Sequence, residues 1–208
     1  MLLQLFLENP IAALVIFLVL MLSLALHESA HAFSANYFGD DTPRYQGRLT
    51  LNPLAHMDPL GTILIVIAGF GWGKPVIVNP FNFKNPKRDM MIVSFAGPLT
   101  NLAIAFVSAI LTSYVGSTSF IGVIAYYVMY INIVLAVFNL LPIYPLDGSK
   151  VVEGLLPRDL ALQFAETSKY GIYILLILLV TRAFDVILNP LVSLVLGAFS
   201  YIINFLPS

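Results

Sequence analysis

Long apolar runs alternate along the 208-residue chain with short polar stretches marked by Pro or Gly. Crossing about 30 Å of hydrocarbon takes roughly 20 helical residues, with a working range of about 17–25. Ile11–Phe38, Met90–Thr112 and Phe120–Leu141 meet that length. Tyr170–Thr181 and Val186–Phe205 are parted by Arg182 and Asp185, which predicts a helical hairpin. Pro59–Gly73 is too short to span comfortably and is broken by glycines, so it reads as a re-entrant or interfacial segment. Asp41–Asn52 (DTPRYQGRLTLN) alternates around a QG turn, and VIVNPFNFKNP reads the same way, which predicts small strands. Such backbone cannot face lipid, so it belongs at the membrane surface or inside the protein. The expected fold is therefore an all-α polytopic membrane protein. It has about five transmembrane helices, one short re-entrant or interfacial segment and small membrane-associated β-strands.

Composition sharpens this picture by exclusion. Hydrophobic residues make up 59% and charged residues 10%, with a mean hydropathy of +0.91, whereas a soluble domain carries about 25% charged residues. Ten Lys and Arg against eleven Asp and Glu leave no basic surface for nucleic acid. The absence of cysteine removes disulfides, thiolate metal sites and thiol nucleophiles, so any metal must rest on His, Asp or Glu. The opening MLLQLFLENP lacks the basic start of a signal peptide, so the first apolar run reads as mature protein. Arg44, Arg48, Lys74, Lys84, Lys87, Arg88, Lys150, Arg158 and Lys169 lie in connections that share one side if Pro59–Gly73 does not cross. The Thr112–Ser119 connection carries no Lys or Arg. That asymmetry predicts an N-terminus outside and the basic connections in the cytoplasm.

The first long run contains LALHESAHAF. His27 and His31 stand four apart, on one helix face. This is the spacing at which two imidazoles grip one zinc ion, with Glu28 beside them to act on water. A role in helix packing alone would have to explain Glu28 inside an apolar helix, where a central charge costs at least ~2.5 kcal/mol. At ~1.5 Å per residue, His27 lies about 24 Å along the helix from Ile11. That depth is in the cytoplasmic third of the membrane, so water needs a polar cavity to reach it. Catalytic zinc takes three protein ligands and keeps one open position. The stretch FNLLPIYPLDGSK, Phe138–Lys150, brings Asn139 and Asp147 to the same depth. There Pro142 and Pro145 break the helix and let a carboxylate turn inward. Asp147 is the best candidate for third ligand, although Asp–Gly by itself is a turn signal. His56, in LNPLAHMDPLG, is open to three readings: a structural polar residue, a ligand, or a group that orients a ligand or the substrate. Asp58 reads as a turn or capping residue before Pro59. In SFAGPLTN, Gly97 and Pro98 predict close helix packing or a kink, and Asn101 a packing or hydrogen-bonding position.

With HESAH, NPLAHMDPLG, GPLTN and NLLPIYPLDG in that order, the chain resembles the site-2 protease family of intramembrane zinc metalloproteases, peptidase M50. The resemblance implies one zinc per chain, completed by Asp147, and a role for Asn139 in positioning the substrate or stabilising the oxyanion. It implies a three-helix catalytic core of Ile11–Phe38, Met90–Thr112 and Phe120–Leu141. It also implies strand-like connections that pair with an unwound transmembrane protein or peptide substrate within the lipid bilayer. The expected organisation is a single membrane-embedded peptidase domain, residues 1–208, with a core over about 11–148 and a hairpin over about 170–206. PDZ and CBS modules have no room. A membrane metal carrier or a zinc-stabilised scaffold is the rival reading. Neither needs a water-activating base, so Glu28 favours the enzyme.

Overall fold

Capping residues set the limits of the long helices. The structure, a computed structural model, describes residues 2–68, 71–181 and 183–205. A short helix, α1 (Leu2–Glu8), leads into α2 (Pro10–Tyr37). The Asn9 side chain accepts the Ala12 N–H and Pro10 opens the helix, which is where a missing N–H costs nothing. A single turn, α3 (Thr42–Tyr45), and α4 (Pro59–Ala68) follow. Then come α5 (Pro86–Val115) and α6 (Phe120–Asn139). Gly116 stops α5 at φ 83°, a conformation that favours glycine. Ser119 starts α6 by accepting the Gly122 N–H. The chain continues through α7 (Asp147–Leu155), α8 (Arg158–Ala165), α9 (Ser168–Val180) and α10 (Ala183–Ile203).

Among these, α2, α5, α6 and α10 are long and apolar enough to cross a membrane. The 13 residues of α9 are too few alone. Joined to α8 across a 57° bend they meet the same test, which gives up to five spans. The connection 148–169 is therefore not plain loop, since it folds as α7 and α8. The 10 residues of α4 fall well short of a span, as the length of the apolar run predicted. Asp58 caps α4 by accepting the Gly61 N–H at 2.8 Å. Residues 69 and 70 of that run lie outside the described residues.

Helices α2, α5 and α6 pack together, and α10 lies against α5 and α6. Small residues let the backbones approach, as membrane helices require: Ala105 and Ala109 meet Met129, Ile133, Val137 and Val192. Apolar side chains such as Val186 and Leu194 on α10 point outward, as a helix facing lipid would present them.

The predicted strands do not form. Among the described residues the only β pairing is an isolated bridge between Met57 and Gly73. Thr42–Tyr45 is helical, and Pro80–Asn82 is a 3-10 turn. Beyond that bridge and the bond from the Lys74 N–H to the His56 carbonyl, the extended stretch 71–79 finds its partners in side chains. Gln46 accepts the Ile77 N–H at 3.4 Å and Asp40 the Asn79 N–H at 2.7 Å. Arg48, itself buried, donates to the Ala55 and Lys74 carbonyls. Burial works to raise the Asp40 carboxyl. The Thr42 hydroxyl and the Asn79 and Asn82 amides outweigh it and hold the group below the ordinary carboxylate range.

Candidate metal centre

The site begins as one turn of α2. His27 and His31 bring their Nε2 atoms to 3.0 Å of each other. Asp147 is the first residue of α7 and places Oδ2 3.1 Å from the His27 Nε2 and 3.3 Å from the His31 Nε2. Its arrival depends on the break after α6. Beyond Asn139 the chain runs irregularly through Pro142 and Pro145 before α7 starts. Gly148 then packs directly on the end of α6: a Cβ there would stand 2.1 Å from the Leu140 carbonyl oxygen. The Asp–Gly pair thus serves close approach, not only a turn. Gly97 on α5 does the same for the imidazoles, since a Cβ would meet the His31 Nε2 at 2.4 Å and the His27 Cε1 at 2.7 Å.

These donors fit a metal ion. The His31 Nδ1 lies 2.8 Å from the Val93 carbonyl, which can only accept, so Nδ1 carries a proton, and in the neutral ring Nε2 keeps its lone pair. The His27 Nδ1 faces the Asn101 Oδ1 at 2.6 Å, which implies the same tautomer. Asp147 Oδ2 is buried and accepts no hydrogen bond. With both rings neutral, three lone-pair atoms converge, an arrangement that costs free energy unless a cation or a proton sits between them. Among the described residues, His27, His31 and Asp147 form the group able to hold an ion, with their ligand atoms all within 4.8 Å. Two imidazoles and a carboxylate make a donor set that zinc accepts.

The remaining predicted residues fall into different positions. Glu28 is half-buried next to His27, and its Oε2 accepts the Val76 N–H at 3.0 Å. Its carboxylate thus already has one hydrogen bond, from the extended stretch 71–79. Asn139 ends α6 and donates from Nδ2 to the Leu135 carbonyl at 2.9 Å. His56 is buried and stands apart from the ion-binding group. Its Nε2 lies 2.9 Å from the Thr50 carbonyl and 3.2 Å from the Ser29 hydroxyl, while its own carbonyl accepts the Lys74 N–H at 2.8 Å. The ring and backbone of His56 thus tie two connections to α2. Asn132 and Ser23, buried behind His27 and linked to Asn101, carry no sequence signal that would have found them.

The convergence of an HExxH helix with a distant aspartate, within a bundle of membrane-length helices, defines a membrane zinc metalloprotease of the M50 class. Residues 113–181 match the profile of Peptidase family M50. Over 185 residues the chain is 40% identical to the candidate zinc metalloprotease YwhC of Bacillus subtilis, covering 85% of this chain and 84% of YwhC. It is 33% identical over 168 residues to the candidate zinc metalloprotease Rip2 of Mycobacterium tuberculosis, covering 76% of this chain and 63% of Rip2. To the zinc metalloprotease MJ0392 of Methanocaldococcus jannaschii it is 25% identical over 155 residues, covering 73% of this chain and 37% of that protein. No solved structure gives a significant match. The chain belongs to peptidase family M50.

Proposed function

We propose that this protein hydrolyses peptide bonds in or near the transmembrane helices of membrane-protein substrates, using one zinc ion held by His27, His31 and Asp147. One observation carries the reading: two imidazole nitrogens and a carboxylate oxygen converge beside Glu28, at a helix of membrane-spanning length. Held by His27, His31 and Asp147, a zinc ion would supply Lewis acidity, lowering the pKa of water toward ~7 and polarising the scissile carbonyl. The Glu28 carboxylate takes the proton from the attacking water and returns it to the leaving amine. Its bond from the Val76 N–H holds the carboxylate in place beside His27 while its second oxygen stays available. Asn139 turns its amide from the Leu135 carbonyl to donate to the oxyanion and stabilise the developing charge. A helical substrate hides its carbonyls in its own hydrogen bonds, so it unwinds locally before cleavage. Helix-destabilising residues near the cut therefore raise the rate. Residues 1–208 act as one membrane-embedded peptidase unit, with the N-terminus outside and the site toward the cytoplasm. In this unit His56 orients the connection that lies next to Glu28.

The test starts from metal content in detergent-purified protein. Wild type is expected to carry near one zinc per chain, and His27→Ala and Asp147→Ala to lose it. Glu28→Gln is expected to keep zinc while slowing cleavage of a single-helix membrane reporter roughly 10²–10⁴-fold, the usual worth of a general base. Zinc that survives Asp147→Ala would remove the third ligand. Unchanged cleavage by Glu28→Gln would remove the base.

A further inference from the structure

We propose that Asn101, braced by Asn132, is a positioning residue for His27: the pair forces the ring proton onto Nδ1 and so leaves the Nε2 lone pair for the metal. The proposal rests on the reading of His27 as a ligand.

The chain of hydrogen bonds starts at a backbone carbonyl of α6. On α6, one end of the Asn132 amide lies 2.8 Å from the Val128 carbonyl and 2.8 Å from the Ser23 hydroxyl. A carbonyl only accepts, so that end is the NH2 group. Asn132 Oδ1 therefore points the other way, to within 2.8 Å of the Asn101 amide nitrogen. Asn101 must present its own NH2 there, which turns its Oδ1 toward His27 at 2.6 Å. Oδ1 also only accepts, so the His27 Nδ1 donates. Reversing any one amide would set two carbonyl oxygens, or two NH2 groups, against each other. The direction of the chain is thus fixed by Val128 and transmitted through two amides to the ring.

All the participants are sealed from water. Asn101 and Asn132 are fully buried and Ser23 is nearly so. They come from three helices: Ser23 and His27 from α2, Asn101 from α5 and Asn132 from α6. No solvent can supply an alternative acceptor for Nδ1, so an unsatisfied ring proton has nowhere else to go. A hydrogen bond from the non-ligating nitrogen fixes the orientation of a metal-binding imidazole and raises its basicity. Losing such a partner typically weakens metal binding about 10–100-fold. His31 has the same arrangement with the Val93 carbonyl, an acceptor that side-chain mutation leaves in place. The two ligands are therefore matched in tautomer, and only one of them through side chains.

The experiment measures zinc affinity by chelator competition on the full chain in detergent, with thermal melting of the zinc-free protein as the fold control. Asn101→Leu keeps the volume for helix packing but cannot accept, and is expected to weaken zinc about 10–100-fold. Asn101→Asp, as the neutral acid, donates to the Asn132 Oδ1 and still accepts from Nδ1, and is expected to stay near wild-type affinity. Asn132→Leu frees the Asn101 amide to reverse and is expected to weaken zinc by a smaller factor. If Asn101→Leu does not fold, Asn101→Ala takes its place with the same expected loss. A purely structural Asn101 gives the opposite ranking: Leu tolerated with full zinc affinity, and Asp destabilised by its buried charge. Wild-type affinity in the folded Leu or Ala variant, with zinc lost in His27→Ala, overturns the positioning role and leaves the metal centre standing. Zinc retained in His27→Ala overturns the centre itself.

Discussion

Gly97 decides how near α5 comes to the two imidazoles, and so how tightly their nitrogens are held. A methyl group at that position would stand 2.4 Å from the His31 Nε2 and 2.6 Å from its Cε1, inside any permitted contact. Moving either ring away from α5 would break its Nδ1 hydrogen bond to that helix, with Asn101 for His27 and with the Val93 carbonyl for His31. Gly97→Ala is therefore expected to displace the rings and abolish tight zinc binding, despite a gain of up to about 1 kcal/mol in helix propensity. Gly197 on α10 has nothing within 4 Å of the same added carbon, so Gly197→Ala is the matched control and should bind zinc normally. Equal zinc affinity in the two variants would count against the packing argument. The site was legible in the sequence where spacing alone defines chemistry: His27, Glu28 and His31 share one helical turn. Asp147 was legible through depth, since two helices descending from the same side reach the same level. The bond from Asn101 to His27 was not, because GPLTN reads equally as a packing motif, and 74 residues separate the two partners.

At the scale of the element, the extended stretch 71–79 shows why the strand prediction failed. Alternation of Val76, Ile77 and Val78 does encode extended backbone, as it would in a strand. What it cannot encode is who pairs with that backbone. Here, apart from the His56 carbonyl, the partners are Glu28, Gln46, Arg48 and Asp40, side chains drawn from α2 and the connection that follows it. Asp40 is the firmest of these ties, accepting from the Asn79 N–H, the Asn82 amide and the Thr42 hydroxyl. Its pKa is held below the ordinary carboxylate value. The charged form therefore stabilises the fold above the unfolded value of about 3.9, and that stabilisation is lost as pH falls through the lower folded value. Asp40→Asn is expected to lower Tm near neutral pH. The gap to wild type should narrow only as pH drops below about 4. A gap that stays constant across that range would show that Asp40 acts through shape rather than charge.

For the whole molecule, the open quantity is how often the chain crosses the bilayer, and each count sends the C-terminal end of α10 to a different side. The Lys and Arg of the connections next to α2, α5 and α6 collect at one end of the bundle, and 116–119 at the other carries none. With the basic end in the cytoplasm, α2 runs inward, α5 outward and α6 inward. If the bent pair α8 and α9 forms a fifth span, α10 returns inward and its end is cytoplasmic; with four spans, that end is outside. The absence of cysteine makes this readable without background, since each introduced thiol is the only one in the chain. Ser117→Cys, Phe81→Cys and Asn204→Cys all place the thiol on exposed positions. In intact cells, a membrane-impermeant maleimide is expected to label Ser117→Cys and to leave Phe81→Cys unlabelled until the cells are opened. Asn204→Cys behaving like Phe81→Cys gives five crossings, and behaving like Ser117→Cys gives four. Labelling of Phe81→Cys in intact cells would reverse the orientation and put Glu28 and the His27–His31–Asp147 group near the outer face, because Phe81 and the end of α2 lie on the same side of the bundle.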